Sequence, residues 1–200
     1  MMSRKNMLRN TLLFVVLAWG GLQAAPRMER EMSFDLDPAK TEINYTLGDL
    51  LHTVHGTFKL KSGSIRLDPA TQKAGGDITV DVASGSSGST ARDRKMQNDI
   101  LQSQTFPEAV FTPRSFEGEL LSSGVSELKV HGLFKIHGAE HEMTLPIHME
   151  TQADQATATT HFVVPYVKWG MKNPSTFILR VSDKVEIEIR ATGHALPPIG

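Results

Sequence analysis

The chain has 200 residues, no cysteine and a formal net charge of −1. That length suits a single domain, and without cysteine the fold must be held by burial, with thiolate catalysis, zinc–sulfur sites and disulfide frames all excluded. The near balance of acids and bases leaves neither a clustered basic surface for nucleic acid nor a polybasic patch for anionic lipid head groups.

The first predicted element is a leader rather than part of the fold. Arg4, Lys5 and Arg9 precede the apolar run Leu12–Trp19, and Gly20-Gly21-Leu22-Gln23-Ala24-Ala25 supplies a small-residue exit. This order reads as a secretory signal peptide over 1–24, and the run is too short to span a bilayer. Its removal takes away three cations and no anion, leaving 25–200 with a charge of −4. A periplasmic or secreted location is therefore expected.

Most of the remaining chain alternates apolar and polar residues with period two, the pattern of strands with one buried face. Ile43, Tyr45 and Leu47 open it, followed by Val54, Gly56, Phe58 and Leu60, and then Ile65 and Leu67. Ile78, Val80 and Val82 continue it. Leu128, Val130, Phe134 and Ile136 come next, then Met143, Leu145, Ile147 and Met149, and finally Val185, Ile187 and Ile189. Turns are expected from Asp68-Pro69 to Gly75-Gly76, and at Ser122–Gly124, His137-Gly138 and Ser182-Asp183. Ser84–Ser89 reads as a flexible loop.

At least eight such segments, each with one apolar and one polar face, predict an all-β fold. The pattern favours a closed antiparallel eight-stranded, lipocalin-like barrel. One segment differs. Residues 91–104 place Met96, Ile100 and Leu101 on a single helical stripe, with Thr90 as N-cap, Asp93 at the N3 position, and Pro107 beyond the end. A short amphipathic helix across an end or edge of the barrel is expected there.

No sequence signature of catalysis stands out. There is no Gly-x-Ser-x-Gly elbow, no His-Glu-x-x-His and no phosphate-cradling glycine motif. Asp93, Asp99 and Glu108 could pair as acid and base, but in or beside an amphipathic helix they read as its solvated face. Tyr45 is the main inward polar group, and the rival reading of an enzyme acting on an isoprenoid would rest on it. His55, His131 and His148 fall on the outward set; a second rival is a metal-binding or interaction protein that uses them. His52 and His55, three apart, cannot chelate together from one strand. The aromatic residues, Phe177 among them, read mostly as core, and periodicity is compatible with both a packed and a hollow interior.

Three ordered blocks then carry a family likeness. Arg92-Asp93, Met96, Phe106-Pro107 and Phe111 form the first. Gly132-Leu133-Phe134-Lys135-Ile136-His137-Gly138 with Met143-Thr144-Leu145-Pro146 forms the second. Val164-Pro165-Tyr166-Val167-Lys168-Trp169-Gly170-Met171-Lys172-Asn173-Pro174-Ser175 forms the third. With Phe34–Pro38 and Ile43-Asn44-Tyr45, the sequence from about 32 to 192 resembles the YceI-like family. One departure is Lys95-Met96, where many members have His-Leu, so no role of that histidine carries over. The resemblance implies a lipocalin-like periplasmic barrel, not an enzyme, that encloses a polyisoprenoid or isoprenoid-quinone-type lipid for storage, transport or stress protection. No cofactor is expected other than that lipid, and homodimerisation is allowed but not indicated. The expected pocket lining is Val54, Phe58, Leu60, Ile78, Val80, Met96, Ile100, Leu101, Phe106, Phe134, Leu145 and Ile147.

Overall fold

The computed structural model describes residues 31–48, 53–176 and 180–196. The predicted leader, His52 and Phe177 lie outside the described residues. Among the described residues nine strands occur in chain order: β1 (Met32–Leu36), β2 (Glu42–Gly48), β3 (Thr53–Asp68), β4 (Lys73–Ser86), β5 (Glu108–Gly118), β6 (Gly124–Ile136), β7 (Ala139–Gln152), β8 (Gln155–Val164) and β9 (Val185–Leu196). All pairings are antiparallel, and the ring closes through β3–β4.

The ring has eight places, because β1 and β2 share one. β2 lies between β3 and β9 at one end, through Ile43↔Phe58 and Ile43↔Ile189. β1 lies between the same two strands at the other end, through Phe34↔Ile65 and Phe34↔Ala195. Closure gives the sheet one inside and one outside, as the two-faced sequence pattern requires. Among the described residues no helix is long and apolar enough to cross a membrane.

Local details depart from the sequence expectation in instructive ways. Alternation in β3 is not continuous: Lys61 and Ser62 are both exposed, and the register slips between Leu60 and Ser62. This bulge moves the inward set from Val54, Phe58 and Leu60 to Ile65 and Leu67. Gly75 and Gly76 belong to β4, opposite Arg66 and Ile65, so the turn expected there is shorter. Gly76 has φ +95°, and a Cβ on it would lie 2.0 Å from the Ser64 carbonyl oxygen, so it serves a close strand approach. Ser84–Ser86 likewise extend β4 rather than forming a loop. His137 and Gly138 have φ of +51° and +78° and join β6 to β7 by two residues, the geometry of a type I′ hairpin.

The predicted helix is shorter than expected and changes pitch. An α-helix, α1 (Thr90–Lys95), runs into a π-helical turn over Met96–Ile100. Ser89, not Thr90, is its N-cap, and it makes no side-chain cap bond. Asp93 is thereby moved off the N3 position and is engaged elsewhere.

One end of the barrel is solid. Phe116 and Leu120 are 2% and 1% exposed and pack in a cluster with Met32, Phe34, Leu67 and Leu128. At the other end a smaller cluster of Val164, Tyr166 and Met171 gathers Ile100, Leu101 and Trp169.

Candidate functional site

Between the solid end and the helix the interior is hollow. An upper chamber of about 150 Å³ lies under α1 and the π turn, and a lower one of about 140 Å³ lies towards the solid end. Their walls are apolar throughout. Ile43, Val80, Ala109, Phe134, Phe162 and Ile189 line both, so the chambers meet at a shared waist. Apolar cavities of roughly 150 Å³ stay dry and admit hydrocarbon.

The hollow follows from side-chain size. Ala109 from β5 stands at the waist, and Ala158 and Thr160 from β8 face the lower chamber. Small residues at inward positions remove volume that a packed barrel would fill with branched side chains.

Six expected lining residues face the upper chamber: Phe58, Val80, Met96, Ile100, Leu101 and Phe134. Leu60, Ile78, Leu145 and Ile147 face the lower chamber, with Val80 and Phe134 shared. Two expected residues line neither. Val54 has inward parity, but it sits beyond Phe58 and Gly56 at the rim, opposite Leu47. Phe106 packs outside the cavity on His137, with ring centroids 4.6 Å apart, because Pro107 turns the chain before β5 enters the wall.

Other lining residues were missed by the sequence reading. Tyr166, Met171 and Pro174 come from the segment after β8, where no periodicity announces a wall. Ile187 and Ile189 alternate clearly in sequence, and only their depth in the barrel was unreadable.

Two polar devices hold the upper end. The first is the Arg92–Asp93 pair. Asp93 Oδ1 accepts from the Ser87 backbone N–H at 2.7 Å and from the Ser87 hydroxyl, while Arg92 Nη1 donates to the Ser87 carbonyl at 3.2 Å. The Gln97 amide donates to the Val82 carbonyl at 2.9 Å. These bonds tie the helix to the end of β4, so the pair fastens the cap and faces no reacting group. Asp93→Ala is expected to lower stability by about 1–3 kcal/mol, since two bonds to a charged acceptor are lost. Hydrogen exchange should quicken across 84–101 first, and protection equal to wild type there would contradict the clamp.

The second device is a ring stack. His141 lies opposite Phe134 on the inner face and stacks on Trp169 at 4.0 Å and 5°. Trp169 also meets Phe134, at 6.0 Å between centroids. The His141 Nε2 is buried without a partner, and burial lowers the imidazole pKa below its ordinary value. The folded protein therefore resists a proton that the unfolded chain accepts, so stability falls as pH drops through about 6.5, the unfolded value. Below the folded pKa the loss levels off. His141→Phe keeps the stack and removes the titration, so its melting temperature should vary less between pH 7 and pH 5 than that of wild type.

Neither tyrosine at this end is activated. Burial raises the Tyr45 pKa, helped by the negative charge of Asp93, and its hydroxyl has no well-aligned partner. Burial, with Asp183 nearby, pushes Tyr166 up to about 12. Its hydroxyl donates to the Ser182 carbonyl at 2.6 Å.

The outward histidines are dispersed. His131 meets Glu117 and Thr144, His148 meets Glu127, and His55 meets Thr46. Among the described residues no three His, Asp or Glu side chains come together to hold a metal ion.

Comparison with known proteins now places this barrel. A YceI-like domain profile matches residues 34–193. The chain belongs to the YceI-like family. Solved structures share the YceI-like fold at low identity. BcnA of Burkholderia cenocepacia is 19% identical, with a TM-score of 0.65, over 79% of this chain and 99% of that one. A polyisoprenoid-binding domain from Saccharophagus degradans, implicated in plant cell wall breakdown, is 14% identical, with a TM-score of 0.62, over 82% and 98%. The YCEI protein of Campylobacter jejuni is 19% identical, with a TM-score of 0.59, over 74% and 88%. No curated protein matches the sequence significantly.

Proposed function

We propose that this protein is an exported carrier that holds one polyisoprenoid or isoprenoid-quinone-type lipid in the two joined chambers. The observation that carries the reading is the pair of adjoining apolar chambers, which share Ala109 and Val80 in their walls and are capped by Met96, Ile100 and Leu101. A long, branched, flexible chain suits such a space. Each methylene moved from water to an apolar wall contributes about 0.8 kcal/mol. Directional bonding is nearly absent, so selection rests on length and girth. Membership of the YceI-like family and the polyisoprenoid-binding description of the Saccharophagus domain support the ligand class. The leader-like start supports the periplasm as the place of action.

An enzyme reading is weaker because the inward phenol of Tyr45 is made harder to ionise, the wrong direction for a base.

The sequence offers its own reporter. Trp19 and Trp169 are the two tryptophans, and only Trp169 remains once the leader is removed. Titration with prenols of increasing length should shift Trp169 emission, with affinity rising with length until both chambers are filled. Emission unchanged by every prenol, with no heat of binding in calorimetry, would overturn the carrier reading.

A further inference from the structure

The wall of the barrel is not equally sealed all the way round. β7 pairs with β6 along its length, from Ala139 to Thr151, and β8 pairs with β9 along its length, from Val164 to Gln155. Between β7 and β8, however, the ladder covers only Gln152↔Gln155 to His148↔Thr159. Beyond it, Ala139–Ile147 and Thr160–Val164 have no ladder pairing with each other. The β6 ladder passes through Pro146 intact, while the β8 ladder stops two residues before it. A proline has no N–H to offer a neighbouring strand.

Side chains alone close this seam. Ile147, Thr159 and Thr160 line both the lower chamber and an outer groove, so the wall there is one side chain thick. The Thr160 hydroxyl is buried without a partner. Further up, the stacked rings of His141 and Trp169 lie against Phe134. By contrast, where the β4–β5 ladder ends at Asp81↔Glu108, Val82 N–H bonds the Pro107 carbonyl and Gln97 bonds the next carbonyls. That gap is bridged by hydrogen bonds; the β7–β8 seam has only contacts that rotate away.

We propose that the apolar ligand passes in and out sideways, through the seam between β7 and β8, and not past the helical cap. Ile147 and Thr160 are the side-chain door, and Trp169 closes its upper part. Opening it breaks no ladder hydrogen bond, whereas lifting the cap breaks the Ser87–Asp93, Ser87–Arg92 and Val82–Gln97 bonds. This inference rests on the carrier reading.

The chain has no cysteine, so an introduced pair stands alone. Pro146→Cys with His161→Cys places two outward thiols across the open seam, to be joined as a disulfide or by a short bis-maleimide. Ser87→Cys with Asp93→Cys ties down the cap instead. Thr79→Cys with Val110→Cys bridges the laddered β4–β5 seam as a control. The probe is diphenylhexatriene, followed by stopped-flow fluorescence, with bridging verified by mass. The seam bridge should slow uptake and release by about tenfold or more while leaving Kd little changed, as expected when a gate is locked. Reduction of the disulfide restores the rates; the β4–β5 bridge leaves them near wild type, and the cap bridge slows them far less than the seam bridge does. Thr160→Trp, which fills the door without any bridge, should also slow exchange. Wild-type exchange in both the bridged protein and Thr160→Trp overturns the portal alone, as does slowing confined to the cap bridge. Failure of wild type to bind the probe at all overturns the carrier reading, and the portal with it.

Discussion

Ala109→Trp is expected to weaken binding of a long prenol by two to three orders of magnitude while sparing a short one. Ala109 is 6% exposed and lines both chambers, so an indole there fills the waist. A tail confined to the upper chamber leaves its distal part in water. If about five methylenes are excluded, the loss is about 4 kcal/mol, close to three decades in Kd. A ligand short enough for the upper chamber loses little, so the ratio of long to short affinities is the diagnostic quantity. Unlike a substitution in a packed core, this one enlarges a side chain beside empty space, so overpacking strain should stay at or below the usual 1–3 kcal/mol. Calorimetry with a long and a short prenol, alongside the melting temperature, measures both. Undiminished affinity for the long chain would show that the two chambers do not act as one.

The second large effect is on stability. Phe116→Ala should cost about 3–5 kcal/mol, because the ring is 2% exposed and nothing nearby can collapse into the space it leaves. It faces Val130 across β5–β6, in the solid end with Leu120 and Leu128. Phe58→Ala should cost markedly less. Phe58 is only partly buried and borders the upper chamber, so part of its contact surface is already missing. Its loss should instead appear in ligand affinity. Urea unfolding of both variants separates the two roles, and equal destabilisation would contradict a barrel solid at one end and hollow at the other.

Much of this fold was legible because inward and outward residues differ sharply in most strands. Leu128, Val130 and Phe134 against Glu127, Lys129 and Lys135 is one example. β8 was the hard case: its inward set begins Ala156, Ala158 and Thr160, which contrast weakly with Thr157 and Thr159. The same small residues help make the lower chamber, so the weakest strand signal marked part of the hollow interior. Alternation also could not reveal the bulge after Leu60, since an apolar run resumes on either side of it. Depth was beyond reach as well. Val54 and Phe58 carry the same parity, yet one stands at the rim and the other on the chamber wall.

The cap shows a different limit. Met96, Ile100 and Leu101 were readable as one apolar stripe, and they do meet the upper chamber. The use of Asp93 was not readable, because its partner Ser87 lies in a serine–glycine stretch that reads as flexible loop. Trp169 and His141 are far apart in sequence and meet only because the segment after β8 folds back against the inner face of β6 and β7.

Native mass spectrometry of the protein, purified without detergent from the cells that make it, tests the central claim most directly. The account predicts one bound lipid of isoprenoid mass per chain, absent from Ala109→Trp prepared in the same way. Bare protein in the wild-type sample, still bare after incubation with a long prenol, would contradict it.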